Sequence, residues 1–243
     1  MADVKVKDIL PFRVSSIDEL FEKRGIERGC TMLVTGGVGT GKSTFCLQSA
    51  YNSAVAGEKV IYISFEEPVE KIQKHMENNF GWDISKMVEQ KRMVLLQIDP
   101  LELSDEVVNT FKKKDGRQFD IKLPFRPDRL ILDSLTALNS AFVDDPRIYR
   151  TYLAYLVRTL ERANSANIVI SEARRSVLDH TPSGTEEFIC DGVMQLYDIR
   201  KKDLRQNGLE ILKARWTAHS KKLVPYKITD KGLEMFPREE IFV

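Results

Sequence analysis

Apolar positions along the chain fall into short runs divided by polar, glycine-bearing breaks. Residues 31–35 (Thr-Met-Leu-Val-Thr) and 59–65 (Lys-Val-Ile-Tyr-Ile-Ser-Phe) are almost continuously hydrophobic, as are 93–98, 129–133 and 167–172. Runs of that length mark strands buried on both faces. Between them the pattern turns helical. A helix is predicted from Lys42 to Ala56 with Gly57 as its C-cap, and a second starts at Pro68 and runs to about Asn79. A third lies near 104–114. Asp145-Pro146 reads as N-cap and first helical position, after which Ile148, Tyr149, Tyr152, Leu153, Leu156, Val157 and Leu160 recur at helical spacing. Residues 15–22 form a short capped helix within a mixed, polar N-terminal segment, 1–29.

From residue 193 the pattern changes. Residues 193–200 and 209–216 read as strands joined through Asn207-Gly208, a hairpin signal. Strands at 223–229 and 233–236 extend an antiparallel edge. Strands alternating with helices up to residue 172 imply right-handed crossovers and a parallel sheet covered on both faces. The fold class is therefore α/β, a mostly parallel central sheet flanked by helices with an antiparallel C-terminal extension. No linker or shift of composition divides it, so one domain over 1–243 is expected.

Composition narrows the function classes. In 243 residues, 42% hydrophobic and 30% charged, no apolar run approaches the length of a membrane span. No secretory signal pattern opens the chain, which reads as cytoplasmic. Cys30, Cys46 and Cys190 are scattered and the three histidines do not cluster, which argues against a zinc site. Cys46 reads as a small buried hydrophobe. A net charge of +1 rules out a surface basic all over but leaves a local basic patch open.

The chemistry concentrates at residues 36–43, Gly-Gly-Val-Gly-Thr-Gly-Lys-Ser, between a strand and a helix. This is a P-loop. Gly36, Gly37, Val38, Gly39, Thr40 and Gly41 let backbone N–H groups surround phosphate oxygens, and the following helix aims its positive end at the same anion. Lys42 reaches the β- and γ-phosphates and Ser43 ligates Mg²⁺. Thr44 continues the loop. Asp133, at the tip of an apolar strand, is the candidate second metal carboxylate; it could instead cap the next helix. Glu66 and Glu67 end the 59–65 strand, on the sheet edge where ligands bind. They are either a water-activating base with its helper or a solvated helix start. Lys213 and Arg215 share a strand face; they either guard an edge against aggregation or supply positive charge for phosphoryl transfer.

Placed in order, these segments resemble the KaiC-like branch of the RecA-fold P-loop ATPases. The residues that carry the likeness are Thr-Phe-Cys-Leu-Gln-Ser-Ala-Tyr-Asn at 44–52, Ser-Phe-Glu-Glu at 64–67, Phe-Gly-Trp-Asp at 80–83 and Leu-Ile-Leu-Asp-Ser-Leu-Thr-Ala-Leu at 130–138. Glu-Glu-Phe-Ile-Cys-Asp-Gly-Val at 186–193, Ile-Leu-Lys-Ala-Arg-Trp-Thr-Ala-His at 211–219 and Ile-Thr-Asp-Lys-Gly-Leu at 228–233 complete it. The resemblance implies a hexameric ring with ATP between neighbouring subunits and Glu66 and Glu67 as paired catalytic carboxylates. It also implies that Lys213, Arg215 and His219 reach the neighbour's ATP, an arginine-finger role in trans, with Thr217 as a nucleotide contact. The family's clock proteins carry two such domains in tandem, so a clock function does not follow. The Gly-rich turn usual before the first strand is here Glu-Lys-Arg-Gly-Ile-Glu-Arg-Gly at 22–29, and the 112–129 loop is longer than usual.

The expected activity is slow, regulatory hydrolysis of ATP to ADP and phosphate by a homohexamer with Mg²⁺. One alternative is a nucleic-acid-binding ATPase of the RecA or RadA type. For this, segment 174–187 carries Arg174 and Arg175, but its only ring is His180 and it holds Asp179, Glu186 and Glu187. Another is a non-catalytic, ATP-dependent scaffold for a protein partner. A small-molecule kinase is a weaker alternative, since no arginine-rich lid follows the central strands.

Overall fold

The computed structural model describes residues 9–102, 123–142, 146–172, 184–201 and 204–241. The helix expected near 104–114, most of the 112–129 loop, Asp145 of the expected cap and most of segment 174–187 lie outside the described residues.

Nine strands form one sheet: β3 (Thr31–Gly36), β4 (Val60–Ser64), β5 (Met93–Gln97), β6 (Arg129–Asp133), β7 (Ala166–Glu172), β8 (Gly192–Lys201), β9 (Leu204–Ala214), β10 (Val224–Thr229) and β11 (Gly232–Met235). Their spatial order is β11-β10-β9-β8-β3-β7-β6-β4-β5. All pairs from β5 to β8 are parallel, and β8-β9, β9-β10 and β10-β11 are antiparallel. The strand expected at 193–200 is thus the last parallel strand as well as the first arm of the hairpin. Two short strands, β1 (Ile9–Leu10) and β2 (Ile26–Glu27), pair apart from the main sheet.

Helix α1 (Lys42–Val55) follows the P-loop, and Gly57, at φ +99°, closes it. Helix α2 (Val69–Phe80) begins after Pro68, which serves as N-cap rather than as the first helical residue. Helix α3 (Ile84–Glu89) follows, capped by Asp83, whose side chain accepts from Lys86 N. Helices α4 (Leu135–Ser140) and α5 (Pro146–Ala163) cover the second face, and α6 (Thr185–Ile189) leads into β8. On one face Phe45 and Cys46 of α1 pack with Met32, Val34, Tyr62 and Ile131; on the other, Leu138, Tyr152, Leu156 and Leu160 pack on Leu33, Ile61 and Val169. Cys46 is fully buried, and burial pushes its thiol well up.

Two expectations need correcting. The N-terminal segment is not polar throughout, because Phe12, Val14, Ile17, Phe21 and Ile26 are buried in the α1-side core. Phe21 stacks between Phe12 and Trp216, with ring centroids 5.3 and 6.3 Å away. The mixed sequence hides this because a 3-10 turn at Ile17–Leu20, rather than a full helix, presents the apolar residues inward.

Asn207-Gly208 is not a turn. Both residues lie inside β9, where Asn207 pairs with Asp198 and Tyr226, and Gly208 with Tyr197 and Pro225. A Cβ at Gly208 would come within 2.5 Å of Ile241 Cδ1, the tip of a side chain.

Candidate functional site

The P-loop leaves the carboxyl end of β3, where the parallel strands expose a common edge. Gly36 begins it at φ +157°, and a Cβ there would stand 2.4 Å from Leu196 O. Gly41, at φ +86°, passes under Ile228, whose Cδ1 would lie 2.6 Å from a Cβ. The loop is braced from within and from below. Thr40 Oγ1 donates to Gly37 O at 2.8 Å, and the Tyr226 hydroxyl donates to Thr40 O at 2.5 Å. Val38 stands at its tip, 72% exposed.

Gly39, Gly41, Lys42, Ser43, Thr44, Glu66, Asp133, Ser134, Ile170 and Glu172 line a cleft of about 250 Å³. Lys42 Nζ donates to Gly37 O at 2.9 Å and stands 3.9 Å from Glu172 Oε1. Burial draws its ammonium below the ordinary value, offset in part by Glu172 and Asp133. Asp133 Oδ2 accepts from the Tyr62 hydroxyl at 2.5 Å, and Ser43 donates to the same carboxylate. Burial nonetheless raises the Asp133 carboxyl above its usual range, against the pull of those two donors.

Asp133 does not cap the next helix. The cap of α4 is Ser134, whose hydroxyl accepts from Ala137 N at 3.3 Å. Asp133 itself stays on β6 and faces Ser43. The two glutamates point in different directions. Glu66 turns into the cleft and accepts from Ser134 Oγ at 2.7 Å. Glu67 turns away, pairing with Lys71 at 3.1 Å and lying 3.7 Å from His75 Nδ1.

Lys213, Arg215, Thr217 and His219 are not among the residues lining this cleft. Ala214 pairs with Gly192, which pairs with Met32 near the amino end of β3. Lys213, opposite Val193 and so level with Leu33, stands three strand residues, roughly 10 Å, below Gly36, and the others follow beyond it. Lys213 Nζ donates to Glu187 O at 2.9 Å and Cys190 O at 2.5 Å, and burial lowers its ammonium. Arg215 Nη2 donates to Phe188 O at 3.2 Å, its side chain still 56% exposed. Thr217 Oγ1 accepts from Lys23 N, and His219 Nε2 lies 3.2 Å from Lys221 Nζ.

Sequence reading missed Glu172, Tyr62 and Ser134. Glu172 ends a predicted strand on the ligand-binding edge, a signal that was there to be read. Tyr62 looks like any core aromatic until the register places it beside Asp133.

The donor set fits a triphosphate with a divalent cation: glycines that leave a cradle open, a lysine directed into it, and hard oxygen ligands at Ser43 and Asp133. Among the described residues, no helix is long and apolar enough to cross a membrane.

Comparison with known proteins agrees. The family model described as "ATPase: KaiC" matches residues 10–240. The circadian clock oscillator protein KaiC of Synechococcus elongatus is 31% identical over 217 residues, 88% of this chain and 41% of that protein. KaiC of Acaryochloris marina is 29% identical over 239 residues, 96% of this chain and 45% of that protein. The chain therefore spans less than half the length of these relatives. The crystal structure of a KaiC-like protein from Pyrococcus horikoshii OT3 superposes with a TM-score of 0.77 at 27% identity, covering 95% of this chain and all of that one. With its P-loop, its RecA-like sheet and a match along almost its full length, the chain belongs to the KaiC ATPase family.

Proposed function

We propose that the protein binds ATP with Mg²⁺ and slowly hydrolyses it to ADP and phosphate, as a regulatory ATPase that works in a ring of identical subunits. The observation that carries hydrolysis is the Ser134–Glu66 hydrogen bond, which directs one carboxylate of the pair into the cleft facing the P-loop. In this reading Glu66 accepts the proton of the attacking water, and Glu67 supports the start of α2. Lys42 leaves Gly37 O for the β- and γ-phosphate oxygens. Ser43 and Asp133 would hold a magnesium ion, which supplies charge neutralisation of the phosphates when bound.

Charge supports the ring. Among the described residues, the cleft offers one cation, Lys42, against three carboxylates, Glu66, Asp133 and Glu172. A triphosphate adds roughly four negative charges, so the transition state calls for positive charge beyond Lys42 and the metal. Arg215 is the exposed candidate. It lies at the other end of the sheet from its own cleft, so it serves a neighbour's. Thr217 and His219 belong to the same surface. In a closed ring the contact is head to tail, each subunit giving a cleft to one neighbour and an arginine to the other.

Light scattering with and without ATP and Mg²⁺, run beside phosphate release, tests both parts. A larger species with ATP and turnover that depends on protein concentration is the expected outcome. A monomer that hydrolyses ATP at an unchanged specific rate on dilution would refute the shared site.

A further inference from the structure

We infer that Tyr62 is a positioning residue for the Asp133 carboxylate and sets how much Mg²⁺ the chain requires to hold a nucleoside triphosphate; this rests on the ATP and Mg²⁺ reading proposed above. Tyr62 stands opposite Ile131 in the β4–β6 ladder, and Asp133 lies two residues further along β6 on the same face. Such diagonal neighbours sit about 7–8 Å apart, a gap that a long side chain can bridge. The phenol bridges it, reaching Asp133 Oδ2 at 2.5 Å. Its ring is fully buried in the core beside α1, so packing fixes its two side-chain torsions.

The carboxylate is thus held from two sides by different kinds of donor. Ser43 belongs to the ligand set itself, at the start of α1. Tyr62 approaches from the core, where no ligand competes for it. Partners behind a metal ligand fix its orientation, and their loss commonly weakens metal affinity tenfold to a hundredfold. A buried carboxylate whose donor is removed also loses the bond that offset part of its desolvation.

The test is a Mg²⁺ titration of the full chain with N-methylanthraniloyl-ATP, read by fluorescence anisotropy rather than turnover. Tyr62→Phe keeps the ring and removes only the hydroxyl. Its half-saturating Mg²⁺ is expected to rise about tenfold, with nucleotide affinity at saturating Mg²⁺ close to that of the unaltered chain. Mn²⁺, which binds such ligands more tightly than Mg²⁺, should narrow the gap, as a general loss of stability would not. Tyr197→Phe is the control, since it removes another buried phenol, bonded to Glu210 Oε1 away from the cleft, and should leave the midpoint unmoved.

If Tyr62→Phe titrates like the unaltered chain while Asp133→Asn loses its Mg²⁺ dependence, the role of Tyr62 is overturned and the metal site stands. If the unaltered chain binds the nucleotide without regard to Mg²⁺, both readings fall. A Tyr62→Phe chain that binds nucleotide at no Mg²⁺ concentration would overturn a role confined to positioning the carboxylate.

Discussion

Ser134 donates to Glu66 Oε1 across 2.7 Å while its own oxygen accepts from Ala137 N, so the residue that starts α4 also aims the carboxylate at the end of β4. A carboxylate held by a helix cap keeps its direction without a large local rearrangement. Glu67, one residue on, has Lys71 and His75 beside it on the outside of α2.

This difference separates the two acids experimentally. Glu66→Gln keeps the shape and removes the proton acceptor, so phosphate release should fall at least about a hundredfold. Glu67→Gln exchanges a solvent-facing pair and should stay within about threefold of the unaltered rate. Equal losses in both, measured by single-turnover phosphate release, would remove the distinction.

Gly36 offers a steric test of the cradle. In Gly36→Ala the new Cβ meets the backbone carbonyl of Leu196, which cannot swing aside as a side-chain tip can. Nucleotide binding by calorimetry should weaken at least about tenfold, since the loop must shift to admit the methyl group.

Glu172 competes with phosphate for Lys42. Its side chain is 48% exposed, so water screens the 3.9 Å pair and the effect is small. Glu172→Gln should tighten ATP binding about threefold, a gain that shrinks as salt is raised. Weaker binding in the variant would show that Glu172 contributes a contact rather than a competitor.

Away from the cleft, Arg129 is fully buried and donates to Glu58 Oε2 from Nε and Nη2, at 3.2 and 3.1 Å, and to Pro11 O at 2.6 Å. Glu58→Ala leaves that guanidinium without its counter-ion, which costs about 3–5 kcal/mol. For a domain of this size the Tm should drop by roughly 10 °C in a thermal melt. A drop of a degree or two would mean that the Pro11 carbonyl and water suffice.

What the sequence disclosed was whatever depends on local pattern. The P-loop shows as a string of glycines with Lys42 and Ser43, and the parallel strands as unbroken apolar runs. Asp133 and Glu66 show because an acid at the carboxyl end of such a run is conspicuous. Long-range register is not written locally. Gly208 reads as a hairpin turn, but it lies inside β9, paired with Tyr197 and Pro225. Tyr62 reads as core because only the β4–β6 register puts its hydroxyl at Asp133. Which of Glu66 and Glu67 turns inward depends on Ser134, a residue 68 positions from Glu66.

If each ATP is served by the cleft of one subunit and Arg215 of the next, two chains defective in different halves of the site should complement each other on mixing. Glu66→Gln and Arg215→Ala should each be nearly inactive alone. Combined in equal amounts and allowed to assemble at random, they should place an intact Glu66 against an intact Arg215 at about a quarter of the interfaces and restore phosphate release to that extent. A mixture no more active than the average of its two parents would contradict a site shared between subunits.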